Sequence, residues 1–594
     1  MQRPRFLLTQ IPPIPPKGLD ISIELGSTPI QYLCQISSLT THCSLLITHS
    51  SLLKSIYVYS KNILNPPHLG HFVWPFEIQI VIQSPIILFF GHCFLANLPV
   101  SLYLYSKKQA FMNTLQKKNL LILIVVAVLA TLPWLGLSDF NTKGEPREAI
   151  VSLTMIQQDN WILPHNNGGE MAYKPPFFHW CIAATATVLG GMSEWAARFP
   201  SALTALLMMV WMYVYYAKRR NAQTAFTAAL ICLGCFEVFR AAHACRVDMV
   251  LTFCIVGAIY AFARWTEHER CRPVPWLAIL MMSLGTLTKG PVAIVLPCGV
   301  TGLYLLLRRE NFFRVFFSLA ATALASLILP AVWYYAAYQQ GGEEFLRLVK
   351  EENIDRFLGK MSYASHENGL WYYFVMLPAG LLPWTLVLLP GLRRKWSLEG
   401  IKRKFTQIEP VELFSLVAAT VIFVFYCIPK SKRGVYILPM YPFVAYFIAL
   451  YMHKVFSPRF IKRATGVSVG LFTLAFAVVL PFFFLNRKSD LNTAKEIQRI
   501  VGDKYLTSHV SGGAPGNPMH FFTINYYLKD KVDAWKSTGP AQPEGYLIIG
   551  EKDAPDFIQS QDKFRFLPVD LEPHRSCDVK QNILLYRFEP LKSE

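Results

Sequence analysis

From residue 112 onward the chain alternates long apolar runs with short charged ones. The apolar runs fall at 119–137, 198–217, 222–240, 248–265, 275–289, 291–307, 315–338, 371–391, 410–428, 436–455 and 464–485. An α-helix needs roughly 20 such residues to cross a bilayer. The pattern therefore predicts an α-helical polytopic membrane protein with about eleven transmembrane helices. Basic clusters separate the runs at Lys117-Lys118, Lys218-Arg219-Arg220, Arg264 to Arg272, Arg308-Arg309, Arg393 to Lys404 and Lys454 to Arg463. Cytoplasmic loops collect lysine and arginine, and these clusters fall at every second loop only if the segment 175–191 does not cross. We expect that segment, PPFFHWCIAATATVLGG, to be re-entrant or to lie on the surface.

This topology places two large loops on the outer face, 138–197 and 339–370, together with the turns Arg246-Val247-Asp248 and Lys289-Gly290-Pro291. The first loop is unusually rich in charge and in turn residues. Proline is tolerated in a first helical turn, so Glu145-Pro146 predicts a helix start. Ile150, Leu153 and Ile156 then recur at helical spacing, which suits a helix lying on the membrane surface. Lys174-Pro175-Pro176 ends any helix that precedes it. The short loop Pro429 to Arg433 carries three cations on the outer face, against the usual bias, and suggests anion binding.

Residues 1–111 differ from the rest. They hold three acidic residues, Asp20, Glu24 and Glu77, and show no sustained helical period. Met112 is followed by a short basic head and a first apolar run, so we expect it to be the true start and 1–111 to be a non-native or disordered extension. The membrane domain is expected over 112–485. Residues 486–594 should form a small outer α/β domain, with a helix at 494–501 and buried strands at 546–550 and 582–586.

The formal charge of +19 sits in the loop clusters and serves topology, so it does not argue for nucleic acid. The twelve cysteines are scattered, and Cys232 and Cys235 lie inside an apolar run as packing residues. Two carboxylates, Glu145 and Asp248, stand at the mouths of outer-facing runs. Either could be a helix cap. A carboxylate at a membrane boundary is nevertheless costly unless paired or functional. Arg147, Lys174, Arg246, Arg356, Lys430, Lys432 and Arg433 share the same face. A carboxylate base beside a cationic set suits transfer away from a phosphate leaving group.

The motifs GEPREA, DNWILPHNNGGEMAYKPPFFHW, SEWAARFP, the RVD turn, TLTKGP and SKRGVYILPMYP, in this order, resemble the GT-C glycosyltransferases. The likeness is to the lipid A aminoarabinose transferases and related protein mannosyltransferases, and runs from about Met112 to the end of the chain. It implies a GT-C fold in the bacterial inner membrane, with its site and C-terminal domain on the periplasmic side. It further implies a polyprenyl-phosphate-linked sugar donor, a lipid or protein acceptor and contact with membrane lipids. By this likeness Glu145 and Asp248 are the catalytic candidates. Arg147, Lys174, Arg356, Lys430, Lys432, Arg433 and Tyr436 are the donor-phosphate candidates. The family's usual acid pair reads Gly144-Glu145 here, so its first acid is missing. Tyr173 and Asn353 replace an acid and a histidine where the aminoarabinose enzyme can hold a metal, so no metal or other cofactor is expected there. His179 and His366 are expected as surface or packing residues. A flippase or transporter of lipid-linked sugars is the alternative. It would favour internal repeats and helices broken at mid-membrane, whereas the polar residues here gather at the outer boundary.

Overall fold

The computed structural model describes residues 112–267, 274–351, 367–392, 408–511 and 519–591. The expected extension 1–111 lies outside them, as do Asn353, Arg356 and His366. Among the described residues, seven helices are long and apolar enough to cross a membrane, and a bent pair would make eight. The chain is a multi-pass membrane protein. Two further expected runs form shorter apolar helices, Trp276–Lys289 and Val292–Leu307, and a third divides into Tyr372–Gly380 and Trp384–Leu392.

Local chemistry sets the helix starts. Asn113 and Gln116 cap the first helix, Thr114–Thr131, reciprocally, with bonds of 2.8 and 3.0 Å. Ser193 and Asn221 accept backbone amides at the heads of Glu194–Arg219 and Ala222–Leu233. The second of these breaks at Gly234 and resumes as Phe236–Ala242, bent by 69°. The break matters because Arg240 and His243, on its second piece and just after it, line the cavity described below. The core beneath is aromatic. Tyr216 stacks on Tyr446 at 4.0 Å between ring centres, and its hydroxyl shares a 2.9 Å hydrogen bond with Ser415. On the opposite side Phe312, Phe313, Phe316 and Phe317 are exposed, as a lipid-facing surface requires.

The C-terminal region is a five-stranded mixed sheet, ordered β4-β3-β5-β7-β6. Its strands are β3 (Leu506–His509), β4 (Asp533–Ala534), β5 (Gly545–Gly550), β6 (Phe564–Val569) and β7 (Ile583–Pro590). β5 is buried along its whole length between the helices Leu491–Val501 and Ala554–Gln559 and its neighbouring strands. The expected helix and both expected strands are present within a few residues.

This sheet region is seated on the large loop 138–197. The loop contains the helix Gly144–Gln157, a small hairpin of β1 (His165–Asn166) and β2 (Glu170–Met171), and the helix Phe177–Val188. Phe522 and Tyr526 pack with Phe140, Ala149, Ile150, Phe178 and Ile182 in one apolar cluster. The apolar stripe of the loop helix thus meets protein where a lipid surface was expected. Ile150 is fully buried, while Ile156 at the far end stays exposed. A side chain at Gly168 would strike Ala534 at 2.3 Å, and its φ of +80° suits glycine alone. Asn167 donates its amide to Asp530 at 2.9 Å, and His520 meets Glu170 at 2.6 Å.

Two predictions follow from this seating. The helix Phe177–Val188 has 12 residues, or about 18 Å at 1.5 Å per residue, too short for a ~30 Å hydrocarbon layer. Gly191→Cys and Lys531→Cys should therefore be labelled by an impermeant reagent from the same side of the membrane; labelling from opposite sides would contradict the fold. Burial pushes the Asp530 carboxyl up to about 6. A raised folded value means that its contribution is complete below the unfolded value and is lost as pH rises through about 6. Asp530→Asn keeps the amide acceptor without the charge. It should raise the thermal midpoint at pH ~7.5, with the gain vanishing near pH ~4; a loss at the higher pH would contradict the assignment.

Candidate functional site

A cavity of about 370 Å³ opens between the first outer loop, the broken helix and the Arg433 turn. Glu145 and Asp248 both line it, as do Arg198, Arg240, Arg246 and Arg433. Phe476, Leu480 and Leu485 supply an apolar side from the last spanning segment.

Glu145 stands in the first turn of the loop helix. Arg198 grips it in the two-pronged manner, at 2.8 Å and 3.1 Å, and the Cys245 amide donates to it at 2.9 Å. Burial would raise this carboxyl, but Arg198 and the amide overcome burial and hold it below its ordinary value. The rest of the Arg198 guanidinium donates to Leu135 O, Ser138 O and Ser138 Oγ, and it lies over the Phe140 ring at 5.0 Å. One buried arginine therefore fixes the end of the first span, the start of the loop and the candidate carboxylate.

Asp248 begins the helix Val247–Glu267 and is 5% exposed. Lys289 donates to its Oδ1 at 2.6 Å, and Arg246 Nε stands 4.0 Å from Oδ2. The Lys289 ammonium also lies over the ring of Tyr436, 4.3 Å from its centre. Tyr436 therefore packs against Lys289 and does not line the cavity. On the broken helix Arg240 is held by Glu237 with bonds of 3.0 and 2.6 Å.

Among the described residues, Arg147, Lys174, Lys430 and Lys432 do not line the cavity. Arg147 and Lys174 gather about a third carboxylate, Glu148, together with His179. Glu148 is 5% exposed and meets His179 Nε2 at 3.0 Å and Arg147 at 3.5 Å. Burial opposes its charge, yet Lys174, the His179 hydrogen bond and Arg147 hold it well below the usual carboxylate range. His179 is a buried partner of this carboxylate, not a surface residue. Lys432 is 2% exposed, and its ammonium donates to the carbonyls of Asn368 and Pro429. Its ammonium is turned into the loop and does not line the cavity. Lys430 is exposed, Arg433 reaches the cavity, and Arg356 lies outside the described residues.

Arg198, Glu237 and Arg240 were not singled out from sequence. The available signal was an ionisable residue inside or at the head of an apolar run, which is costly without a partner. Among the described residues one group has metal-ligand spacing, Asp490, Cys577 and Asp578 in the C-terminal region. All four carboxylate oxygens there already accept hydrogen bonds, from His574, Ser576, the Cys577 amide and Thr523. The group is a filled structural network.

Residues 173–335 match the sequence family described as dolichyl-phosphate-mannose-protein mannosyltransferase. A relative in Proteus mirabilis, undecaprenyl phosphate-alpha-4-amino-4-deoxy-L-arabinose arabinosyl transferase 2, is 29% identical over 313 residues, covering 52% of this chain and 54% of its own. The corresponding transferase of Pectobacterium atrosepticum is 28% identical over 400 residues, covering 63% and 67%. An uncharacterised Aquifex aeolicus protein is 28% identical over 57% of this chain and 65% of its own. The matches to the Aquifex and Proteus relatives thus span less than two thirds of their length. ArnT from Cupriavidus metallidurans, solved bound to undecaprenyl phosphate, shares the fold with a TM-score of 0.60 at 18% identity, over 79% of this chain and 97% of that one.

The pairing yields its own prediction. Removing one partner of a buried ion pair leaves an uncompensated charge, which costs about 3–5 kcal/mol. Arg198→Ala should therefore lower the thermal midpoint of the detergent-solubilised protein markedly, and Glu145→Gln in the same background should recover part of the loss. An unchanged midpoint in Arg198→Ala would show that the pair does not hold the loop.

Proposed function

We propose that this chain, which belongs to the GT-C glycosyltransferases of the aminoarabinose-transferase and protein-mannosyltransferase kind, moves a sugar from a polyprenyl phosphate to a lipid or protein acceptor. One observation carries the reading: a single cavity joins two carboxylates from separate elements with four guanidinium groups. We place that cavity and the C-terminal domain, residues 486–594, on the periplasmic face of a bacterial inner membrane, with the membrane domain over 112–485.

In the proposed reaction an acceptor oxygen or nitrogen attacks the anomeric carbon. The bond from that carbon to the phosphate oxygen breaks, and polyprenyl phosphate leaves. A hydroxyl or amine acceptor sheds a proton as it attacks, so a carboxylate within hydrogen-bond reach assists. Asp248 suits this role better than Glu145. Among the described residues its Oδ2 has only the 4.0 Å approach of Arg246, whereas both oxygens of Glu145 are engaged by Arg198. Glu145 is then the orienting group, keeping the loop helix and Arg198 in place. Arg433 on the cavity wall is the candidate for the leaving phosphate, because a guanidinium offers paired donors to an oxyanion. Lys174 and Arg147, beside Glu148, are candidates for the donor's approach.

Purified protein supplied with radiolabelled undecaprenyl-phosphate sugars and a membrane extract should pass label into the acceptor fraction. Label that stays on the donor, or that crosses a vesicle without transfer, would contradict the reading. Asp248→Asn should slow transfer by about 10²-fold or more if it takes the proton. Turnover of Asp248→Asn near that of the wild type would move the base elsewhere, with Glu145 the next candidate.

A further inference from the structure

Two of the cavity's guanidinium groups are committed, Arg198 to Glu145 and the loop carbonyls and Arg240 to Glu237. Lys289, which does not line the cavity, is committed to Asp248. Arg246 is different. Its side chain is 28% exposed, and its nearest carboxylate oxygen is 4.0 Å away on an Asp248 that Lys289 already neutralises. Among the described residues its guanidinium donates no hydrogen bond.

What holds Arg246 in the cavity wall is a missing side chain. The guanidinium lies directly against Gly144, the first residue of the loop helix. A Cβ at that glycine would fall 1.9 Å from Arg246 Nη1 and 3.2 Å from Cζ. Gly144 has an ordinary negative φ, so glycine is not required there by the backbone. It is required by the arginine. Any larger residue would swing Arg246 out of the cavity, and because the arginine tip is flexible the fold would survive the change.

We propose that Gly144 and Arg246 form one anion-recognition notch, in which the absent side chain lets Arg246 present its planar fork to a phosphate on one of the reactants. This rests on the glycosyl-transfer reading and adds which groups select the charged reactant. A half-buried guanidinium with its donors unspent is matched by an oxyanion that accepts two parallel bonds, and carboxylates and phosphates have that shape. Phosphate is the one of the two that the proposed chemistry brings to the cavity. It comes either from the donor lipid or from a phosphorylated acceptor lipid.

The test is lipid binding to the full-length protein in detergent, with two probes measured separately. One is undecaprenyl phosphate, and the other is lipid A with its phosphates, controlled by the same lipid after phosphatase treatment. Gly144→Ala and Arg246→Gln should each weaken one probe by about tenfold or more, as expected for hydrogen bonds to a charged group. The double variant should bind no more weakly than Arg246→Gln, because the glycine acts only through the arginine. Loss confined to undecaprenyl phosphate assigns the notch to the donor, and loss confined to phosphorylated lipid A assigns it to the acceptor. Wild-type affinity of Arg246→Gln or Gly144→Ala for both probes would overturn the notch, as would additive losses in the double variant. A wild-type protein that binds neither probe would overturn the glycosyl-transfer reading beneath it.

Discussion

The two-pronged contact between Arg198 and Glu145 is the constraint on which the cavity-bearing end of this molecule depends. Both side chains are buried or nearly so, and neither charge could remain there alone. Their union sets the angle between the head of the span Glu194–Arg219 and the start of the loop helix. Arg198 also ties down the carbonyls of Leu135 and Ser138, so the chain leaving the first span is held by the same group. The loop helix in turn carries the apolar face on which Phe522 and Tyr526 of the C-terminal region rest. One ion pair thereby transmits the geometry of the membrane bundle to the sheet region above it.

The same logic of paired charge shapes the cavity. Each carboxylate has a dedicated cation: Arg198 for Glu145, Lys289 for Asp248, Arg240 for Glu237 and the Arg147, Lys174 and His179 group for Glu148. Pairing of this kind gives strong local order, which is what a site needs in order to hold reacting groups in register. The broken helix after Gly234 is part of this arrangement. Bent by 69°, it delivers Arg240 to the cavity wall.

Much of this was legible in the chain. Pro146 and the spacing after it marked the loop helix, and the β-rich runs near 546 and 583 marked the central strands of the sheet. Glu145 and Asp248 were recognisable as carboxylates at apolar boundaries, and they do meet in one cavity. Other features were hidden for physical reasons. The stripe through Ile150 and Leu153 has the same period whether it faces lipid or protein, so its burial under the C-terminal region could not be read locally. Counting cations in the 429–433 loop could not reveal that Lys432 is spent on the carbonyls of Asn368 and Pro429. Arg198 and Arg240 lay at the ends of runs judged by their apolar neighbours; the partner of Arg198 is distant in sequence, and Glu237, three residues before Arg240, was read as part of the same run.

The central claim is that the reactants meet in the cavity between the loop helix, the broken helix and the Arg433 turn. Photo-crosslinking with a diazirine-bearing polyprenyl phosphate, followed by peptide mass spectrometry, addresses it directly. The account predicts adducts on cavity-lining segments, at 240–249, 433–435 and 476–485, that an excess of unlabelled undecaprenyl phosphate removes. Adducts confined to the C-terminal sheet region, or to the exposed faces of the spans with no competition, would contradict it.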